Sequence, residues 1–390
     1  MKHRIVVLGA GYAGAGAAGR LARRLHPDDT EITLVNADPD FVERIRLHQL
    51  ATGQELRPRP LREVFAGTGV TVRRARVAAL DVANHTVELA DGAGEIGYDT
   101  LVYALGSTAA VHGVPGVAEH AHHVAGRQAA LRLRERLQAL AAGGAVLVVG
   151  GGLTAIEAAT EIAEARPDLD VAIAAREGVG DWLGEKARRH LAAVLARLDV
   201  TVHAHTDVAR VDEAGVVTGD GGRIAAPVVV WAAGFAVHPI AAASALRVAD
   251  TGQIVVDATM RSVSHPEVYA VGDAALAEGA GGRPLRMSCA SGIPTAWLAA
   301  DAIAARLTGR RVPERTIGYT IQCISLGRRD GIVQFVTPDD VAKPSAVTGR
   351  AAARIKELIC AGAAWSTAHP TAMLPTRRRR VTAAVGAPAR

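Results

Sequence analysis

The sequence predicts an α/β fold in which one local design is used twice. Each copy consists of a short apolar strand, a glycine-rich turn, a helix and a second strand. The strands of the first copy span 4–8 and 31–35, and those of the second copy span 145–149 and 170–174. This order is half of a mononucleotide-binding unit, so the sequence predicts two Rossmann-like domains with parallel sheets.

The two turns have the glycine spacing of a phosphate-binding loop. They read Gly9-Ala10-Gly11-Tyr12-Ala13-Gly14 and Gly150-Gly151-Gly152-Leu153-Thr154-Ala155. The first glycine permits the tight turn, the second lets the backbone approach a pyrophosphate, and the third allows close helix–strand packing. The N–H groups at the start of the following helix then face the phosphates. The predicted contacts are Gly9, Gly11, Tyr12, Ala13 and Gly14 at one site and Gly150, Gly152, Leu153 and Thr154 at the other.

The composition allows a sizeable core and excludes several classes of protein. The chain has 390 residues, of which 49% are hydrophobic and 3% aromatic, enough for two or three domains. No run of about 18 apolar residues occurs, so no membrane span is predicted. Three cysteines without a CxxC pair indicate a reducing compartment. The sequence lacks a signal-type segment, so we expect a cytoplasmic protein, and no metal site is predicted.

The net charge is +5, and part of it lies in the run 377–380, which is four arginines. We interpret this run as a solvated basic tail. No aromatic platform or base-reading motif accompanies it, so no nucleic-acid partner is predicted.

Three further apolar strands lead into glycine turns. They occur within 100–107, 228–235 and 267–273, and the last ends in Gly272-Asp273, where strand ends line a cofactor crevice. A small antiparallel meander is predicted for 71–89. A helix is predicted for 295–307, with Pro294 in its first turn.

Together these five glycine segments resemble the two-dinucleotide-binding-domain flavoprotein family. Within it, the chain is most similar to the branch of type II NADH dehydrogenases and apoptosis-inducing-factor-like quinone reductases. The resemblance covers residues 1 to 335 by the order of the motifs. It implies FAD at the first glycine turn and NAD(P)H at the second. It further implies connecting motifs at Ala104, Gly106 and Gly234, and contact of Gly272 and Asp273 with the flavin ribityl chain.

The sequence departs from the family pattern at several places. Asn36 takes the FAD-ribose position that usually holds Glu or Asp, and an amide bonds ribose hydroxyls more weakly than a carboxylate. No cysteine precedes Cys289, which excludes the dithiol relay of the disulfide reductases. The glutamine pair at the quinone site of type II dehydrogenases is absent near 288–294.

The choice between NADH and NADPH stays open at this level. The selecting position falls near Ala175-Arg176-Glu177. Glu177 is able to accept from a ribose 2′-hydroxyl and favour NADH. Arg176 is able to pair with a 2′-phosphate and favour NADPH.

Few catalytic residues are expected, because the cofactors carry hydride chemistry. The resemblance points to Glu157 beside the nicotinamide and flavin, with a role in charge or proton handling; the alternative is a helix-end carboxylate stabilised by the dipole. In the segment 41–50, Arg44 and Arg46 are candidates for FAD contact and His48 for proton donation. The alternative is an amphipathic helix with solvated Arg and His.

We predict four segments: 1–108 and 237–310 for the two parts of the FAD domain, 109–236 for the inserted NAD(P)H domain, and 311–390 for a small α+β region. In this last region Ala351, Ile355, Leu358, Ile359 and Gly362 share a helical face. We expect that face to pack on the protein or on a second subunit, as in a homodimer. The alternative is peripheral contact with the inner face of the membrane.

The sequence thus predicts an FAD-dependent NAD(P)H oxidoreductase with a quinone-like acceptor. Two alternatives share its fold. One uses a soluble biosynthetic or small-molecule acceptor. The other is a redox-sensing flavoprotein with slow turnover.

Overall fold

The computed structural model describes residues 1–90, 92–372 and 377–382. The first part of the chain forms β1 (His3–Leu8), α1 (Tyr12–Arg24), β2 (Thr30–Asn36), α2 (Leu47–Ala51), α3 (Leu61–Val64), β3 (Val70–Arg74), β4 (Val77–Asp81), β5 (Thr86–Leu89), β6 (Glu95–Gly97), β7 (Thr100–Tyr103) and β8 (Ser107–Ala109). A 3₁₀ turn at Arg44–Arg46 precedes α2.

The second unit begins after β8. Its elements are α4 (Val117–His120), β9 (Ala121–His122), α5 (Arg127–Ala139), β10 (Ala145–Val149), α6 (Leu153–Ala165), β11 (Asp170–Ala174), α7 (Glu185–Arg197), β12 (Thr201–His203), β13 (Val208–Asp212), β14 (Gly215–Thr218), β15 (Arg223–Ala225), β16 (Val228–Trp231) and β17 (Phe235–Val237).

The chain then returns to the first unit and ends in a smaller region. These elements are β18 (Ile254–Val255), β19 (Val268–Ala270), β20 (Ala275–Leu276), α8 (Cys289–Leu307), β21 (Ile321–Ser325), β22 (Gly331–Val336), β23 (Ala342–Thr348) and α9 (Gly349–Ala368). Among the helices of the described residues, none has the length and apolar character needed to span a bilayer.

Two parallel five-stranded sheets organise the molecule. The first has the strand order β3-β2-β1-β7-β19, and the second has the order β12-β11-β10-β16-β9. Strand β19 follows the whole second unit in sequence but joins the first sheet beside β7. The predicted fold class, with one Rossmann-like unit inserted into the other, is confirmed. Strands β8 and β17 pair antiparallel where the chain crosses between the units.

The sequence explains why the central strands are buried. All residues of β7 and β16 are buried, as expected for parallel strands covered by helices on both faces. Helix α1 packs on α8 through alanines such as Ala17 and Ala299, which are fully buried. Small side chains let these helices approach closely and bring the start of α8 to the first glycine turn.

The structure corrects two predicted boundaries. The strand at 70–74 is not part of the meander, because it pairs parallel with β2 at the edge of the first sheet; the meander is β4-β5-β6. Helix α8 begins at Cys289 rather than at Thr295, with Pro294 in its second turn. The bond from the Gly292 N–H to the Ser288 carbonyl, 2.9 Å long, already closes its first turn. Pro294 removes a single later bond, which the helix tolerates.

The predicted apolar face of the carboxyl-terminal helix does not pack on the chain itself. Helix α9 turns Ala352, Cys360 and Ala364 inward, whereas Leu358 is 72% exposed. Small residues occupy the inward face of α9 because this helix packs directly on the three-stranded antiparallel sheet β21-β22-β23. A bulky Leu358 does not fit that close approach.

The arginine run also differs from a free tail. The Arg379 N–H donates to the Arg24 carbonyl at 2.9 Å, and the His26 N–H donates to the Arg379 carbonyl at 2.9 Å. Arg380 forms ion pairs with Asp28 and Asp29, each at 3.0 Å. The run is exposed to solvent but is attached to the end of α1.

Candidate functional site

Both glycine turns lie at one cavity of about 330 Å³ between the two units and the carboxyl-terminal region. The first unit contributes Gly11, Tyr12, Ala13, Val42, Arg44, Ile45, His48, Ala104, Gly106, Gly272, Asp273 and the start of α8. The second unit contributes Val124, Leu153, Thr154, Glu157 and Phe235. The carboxyl-terminal region contributes Ile321, Gln322, Cys323, Lys356, Ile359 and Cys360. Most of this lining is apolar.

The glycines of the two turns have separate physical tasks. Gly9 and Gly150 have φ values of +91° and +137°, and a Cβ there would lie 2.3 and 2.5 Å from backbone oxygens. A Cβ at Gly14 would lie 1.8 Å from the Gly9 carbonyl oxygen, so helix packing requires that glycine. A Cβ at Gly11 or Gly152 would meet no atom within 4 Å. The space beside these two glycines, at a helix N-terminus, fits a pyrophosphate.

Asn36 ends β2 beside the first turn. Its Oδ1 accepts from the Ala10 N–H at 2.9 Å, and its Nδ2 donates to the Asp38 carbonyl at 2.8 Å. Asn36 therefore fixes the turn and keeps one further lone pair and one further N–H. It lies next to the cavity rather than in its lining.

Arg44, Ser107 and Asp273 form a polar group on the first-unit wall. Arg44 donates to the Ser107 carbonyl at 2.8 Å and to Ser107 Oγ at 2.9 Å, and lies 3.5 Å from Asp273 Oδ2. Ser107 Oγ donates to the same Asp273 oxygen at 2.6 Å. The guanidinium also stacks on Phe235 at 4.8 Å. This group joins β8, the segment before α2 and the turn after β19.

Glu157 and Lys356 form a buried ion pair on the opposite wall. Lys356 Nζ donates to Glu157 Oε1 at 2.7 Å and to the Cys323 carbonyl at 3.0 Å, and the Ser325 N–H donates to the same Glu157 oxygen at 3.0 Å. Burial alone would lower the pKa of Lys356, but the Glu157 carboxylate outweighs it and raises that pKa above its ordinary value. Burial likewise opposes ionisation of Glu157, yet Lys356 holds the pKa of Glu157 below its ordinary value. Both groups are charged at neutral pH.

His48 lies in the same wall and is 5% exposed. Within the described part of the chain, its buried Nε2 has no hydrogen-bond partner. Burial, supported by the charge of Lys356 and opposed by that of Glu157, lowers the pKa of His48 to about 4. The imidazole is therefore neutral at pH 7, and the residue contributes to the cavity lining.

The three cysteines, far apart in sequence, all line the cavity. Burial raises the pKa of Cys289 and Cys323, and raises the pKa of Cys360 to about 11. All three are thiols at neutral pH, which makes them poor nucleophiles and suits them to an apolar wall.

Some predicted residues lie outside the cavity lining. Gly9, Gly14 and Gly150 support the turns behind it, and Gly234 precedes β17 with a φ of +118°. Arg46 pairs with Glu43 and Glu357 instead of facing the cavity. Arg176 is 74% exposed and pairs with Asp207 at 3.4 Å.

Sequence reasoning missed Ser107 and Lys356. Ser107 was part of a strand–glycine motif, and its bond to Asp273 joins elements distant in sequence. The sequence pattern assigns no role to Lys356, which lies outside the predicted apolar face of α9. The signal that could have identified it is its four-residue spacing from Ala352 and Cys360, which puts a lysine on the small-residue face.

Comparison with known proteins agrees with this geometry. Residues 3–302 match the pyridine nucleotide-disulphide oxidoreductase family. A NADH dehydrogenase-like protein of Mycobacterium tuberculosis is 33% identical over 312 residues, which cover 75% of this chain and 77% of that protein. A type II NADH:quinone oxidoreductase of Staphylococcus aureus is 25% identical over 388 residues, 92% of this chain and 94% of that one.

The fold is shared with solved structures at lower identity. NDH2 from Plasmodium falciparum in complex with NADH superposes with a TM-score of 0.79 at 13% identity, over 95% of this chain and 97% of that chain. The glycine turns, the single cavity between them and the family match lead to one conclusion. The chain belongs to the pyridine nucleotide-disulphide oxidoreductase family and is an oxidoreductase that uses FAD and NAD(P)H.

Proposed function

We propose that the enzyme transfers hydride from NAD(P)H to FAD and passes the electrons to a quinone-type acceptor. The observation that supports this most strongly is the single, mostly apolar cavity reached by both glycine turns and closed by α9. Two nucleotides held by those turns would extend into the same space. The relatives named as NADH:quinone oxidoreductases support a quinone as acceptor.

The first unit supplies the groups that would hold FAD. The α1 N-terminus and Gly11 would receive the pyrophosphate, Asn36 would face the ribose, and Asp273, with Arg44 beside it, would bind the ribityl chain. Bound FAD supplies a redox ring that takes hydride from the nicotinamide and gives electrons to the acceptor. Leu153 and Thr154, at the start of α6, border the nicotinamide side.

The carboxyl-terminal wall would receive the acceptor. Ile321 and Ile359 offer apolar surface for an aromatic ring. Lys356 Nζ uses two of its three N–H donors on protein oxygens, which leaves one for a ligand oxygen. His48, contributed by the first unit, lines the same cavity. We assign Lys356 the proton that an acceptor oxygen needs on reduction, Glu157 the positioning of that ammonium, and His48 a neutral hydrogen-bonding role.

Anaerobic titration tests the proposed function. The purified protein should be yellow, addition of NAD(P)H should bleach the flavin absorbance rapidly, and a menadione-type quinone should restore it. Steady-state rates with that quinone should exceed rates with dioxygen. Rapid bleaching followed by reoxidation with dioxygen but not with the quinone would contradict the acceptor assignment. A persistent, slowly decaying charge-transfer complex would indicate a sensor instead.

We also propose that α9 contacts an anionic membrane surface. Arg350, Arg354, Leu358 and Trp365 are separated by four, four and seven residues, which puts them on one exposed helix face. Within the described residues, neither arginine has an ion-pair partner. Cationic side chains beside exposed Leu and Trp are the chemistry that binds anionic headgroups and the acyl boundary.

Vesicle sedimentation tests this contact. The protein should sediment with phosphatidylcholine vesicles that contain phosphatidylglycerol, and poorly with phosphatidylcholine alone. Leu358→Ser should weaken sedimentation about fivefold or more, since roughly one leucine of buried apolar surface is lost. Val202→Ser, at an exposed position on β12, is the control. If Leu358→Ser changes only the concentration dependence of the molecular mass, the face joins two copies of the chain and the membrane proposal is wrong.

A further inference from the structure

The residue at the carboxyl end of the second strand of each unit, Asn36 or Ala175, can be compared through strand register. Leu8 of β1 aligns with Val35, and Val149 of β10 aligns with Ala174. Leu8 and Val149 each directly precede the first glycine of their turn. Asn36 and Ala175 therefore occupy equivalent positions.

Side-chain placement supports the same equivalence. Asn36 contacts Ala10, the middle residue of the first turn, at 2.9 Å. A Cβ on Gly151, the matching residue of the second turn, would lie 3.2 Å from the Ala175 Cβ. Each residue lies against its own phosphate loop, where the adenosine ribose of a bound dinucleotide is expected.

At this position an acidic side chain normally accepts a hydrogen bond from the ribose 2′-hydroxyl of NADH and repels a 2′-phosphate. Ala175 does neither, because its methyl group carries no acceptor and no charge. Ala175 is also 2% exposed, so there is no space at this position through which a neighbouring side chain could reach the ribose.

Arg176, the next residue, supplies the opposite charge. Its guanidinium is 74% exposed and its Asp207 partner is 67% exposed, at 3.4 Å. An exposed pair of this kind contributes little to stability and is readily exchanged. Arginine can form two parallel hydrogen bonds to a phosphate dianion, and this bidentate interaction is stronger than its contact with one carboxylate at that distance.

We propose that NADPH is the preferred electron donor, with Ala175 removing the selection for a 2′-hydroxyl and Arg176 binding the 2′-phosphate. This inference rests on the proposed function, since it requires the second glycine turn to hold the nicotinamide nucleotide. Glu177 lies one residue further from the strand end and has no part in the selection.

Nucleotide fragments test the site without the redox reaction. By calorimetry, 2′,5′-ADP should bind the purified holoenzyme roughly ten- to hundredfold more tightly than 5′-AMP, the effect of one charge-assisted contact. Arg176→Gln should abolish this difference. Arg223→Gln, which removes an exposed arginine from an ion pair with Asp212, is the matched control and should preserve it.

Kinetics with NADH and NADPH distinguish failure of the NADPH preference from failure of the proposed oxidoreductase function. The wild-type kcat/KM should be higher for NADPH, and Arg176→Gln should lower it for NADPH alone. Glu177→Gln should leave the ratio unchanged. Equal or better use of NADH, or a ratio that changes with Glu177→Gln, would overturn the inference while the oxidoreductase function stands. Failure of both nucleotides to reduce the flavin would overturn the proposed function itself.

Discussion

Gly11→Val protein is expected to fold and to be isolated colourless. Gly11 has an extended backbone conformation that valine adopts readily, with φ −71° and ψ −169°. A Cβ there meets no protein atom within 4 Å, so the substitution adds no internal clash. The isopropyl group would instead fill the space assigned to the FAD pyrophosphate. Loss of two charge-assisted hydrogen bonds to the turn would cost about 3 kcal/mol or more in affinity.

The second turn supplies a matched control. Gly152 has the same extended geometry, with φ −86° and ψ −179°, and the same open space. Gly152→Val should therefore remain yellow, resist reduction by NADH and NADPH, and bleach normally with dithionite. Visible absorbance and thermal unfolding measure all of these results. A yellow Gly11→Val protein, or a colourless Gly152→Val protein, would show that the two turns have been assigned to the wrong cofactors.

Lys356→Met should be the most destabilising substitution in the cavity wall. Lys356 and Glu157 are 13% and 6% exposed and only 2.7 Å apart, so removal of the ammonium leaves a buried, uncompensated carboxylate. Breaking such a pair costs about 3–5 kcal/mol. Arg354→Met, on the same helix but exposed, should change stability by less than about 0.5 kcal/mol.

The loss of stability in Lys356→Met should depend on pH, because it depends on the charge of Glu157. In the wild type, Lys356 keeps the pKa of Glu157 below its unfolded value, so the contribution to stability is present above the unfolded pKa and is lost as pH falls through the folded one. In Lys356→Met, the ammonium no longer offsets burial, which is the largest influence on the pKa of Glu157, so that pKa rises and the folded protein loses stability as pH rises. Thermal unfolding at pH 5 and pH 8 should show a larger deficit at pH 8.

A double variant separates charge from packing. Adding Glu157→Gln to Lys356→Met removes the buried charge and should recover much of the lost stability at pH 8. If the double variant is no more stable than Lys356→Met, the loss comes from packing rather than from an unpaired carboxylate. Quinone-dependent turnover should stay low in both, since the proposed proton on Lys356 is absent.

The two nucleotide units could be predicted from the sequence because the glycine spacing of each turn is visible within a short segment. The contact that excludes a Cβ at Gly14 is local, since it is made with the Gly9 carbonyl. The backbone that closes on Gly9 and Gly150 belongs to Ala104 and Ala232, but the glycine spacing itself is a local pattern that recurs at both turns. The cavity wall was harder to predict. Lys356 meets Glu157 only because α9 packs small residues on a distant sheet, and that packing also sends Leu358 outward.

The nucleotide-selecting position shows the same limit on a smaller scale. The sequence alone does not show which of Ala175, Arg176 and Glu177 occupies the selecting position. Only the register between β10 and β11 identifies the residue beside the glycine turn. Register depends on long-range strand pairing, which a single turn sequence does not encode.

Helix α9 follows both nucleotide units in sequence, yet it supplies the ammonium beside Glu157. During synthesis, therefore, both glycine turns leave the ribosome before α9, which completes the cavity lining, has been made. A nascent or prematurely terminated chain that stops before residue 349 would keep the segments for both dinucleotides but would leave the acceptor side open to water. Only the completed chain therefore has the ammonium of Lys356 beside Glu157.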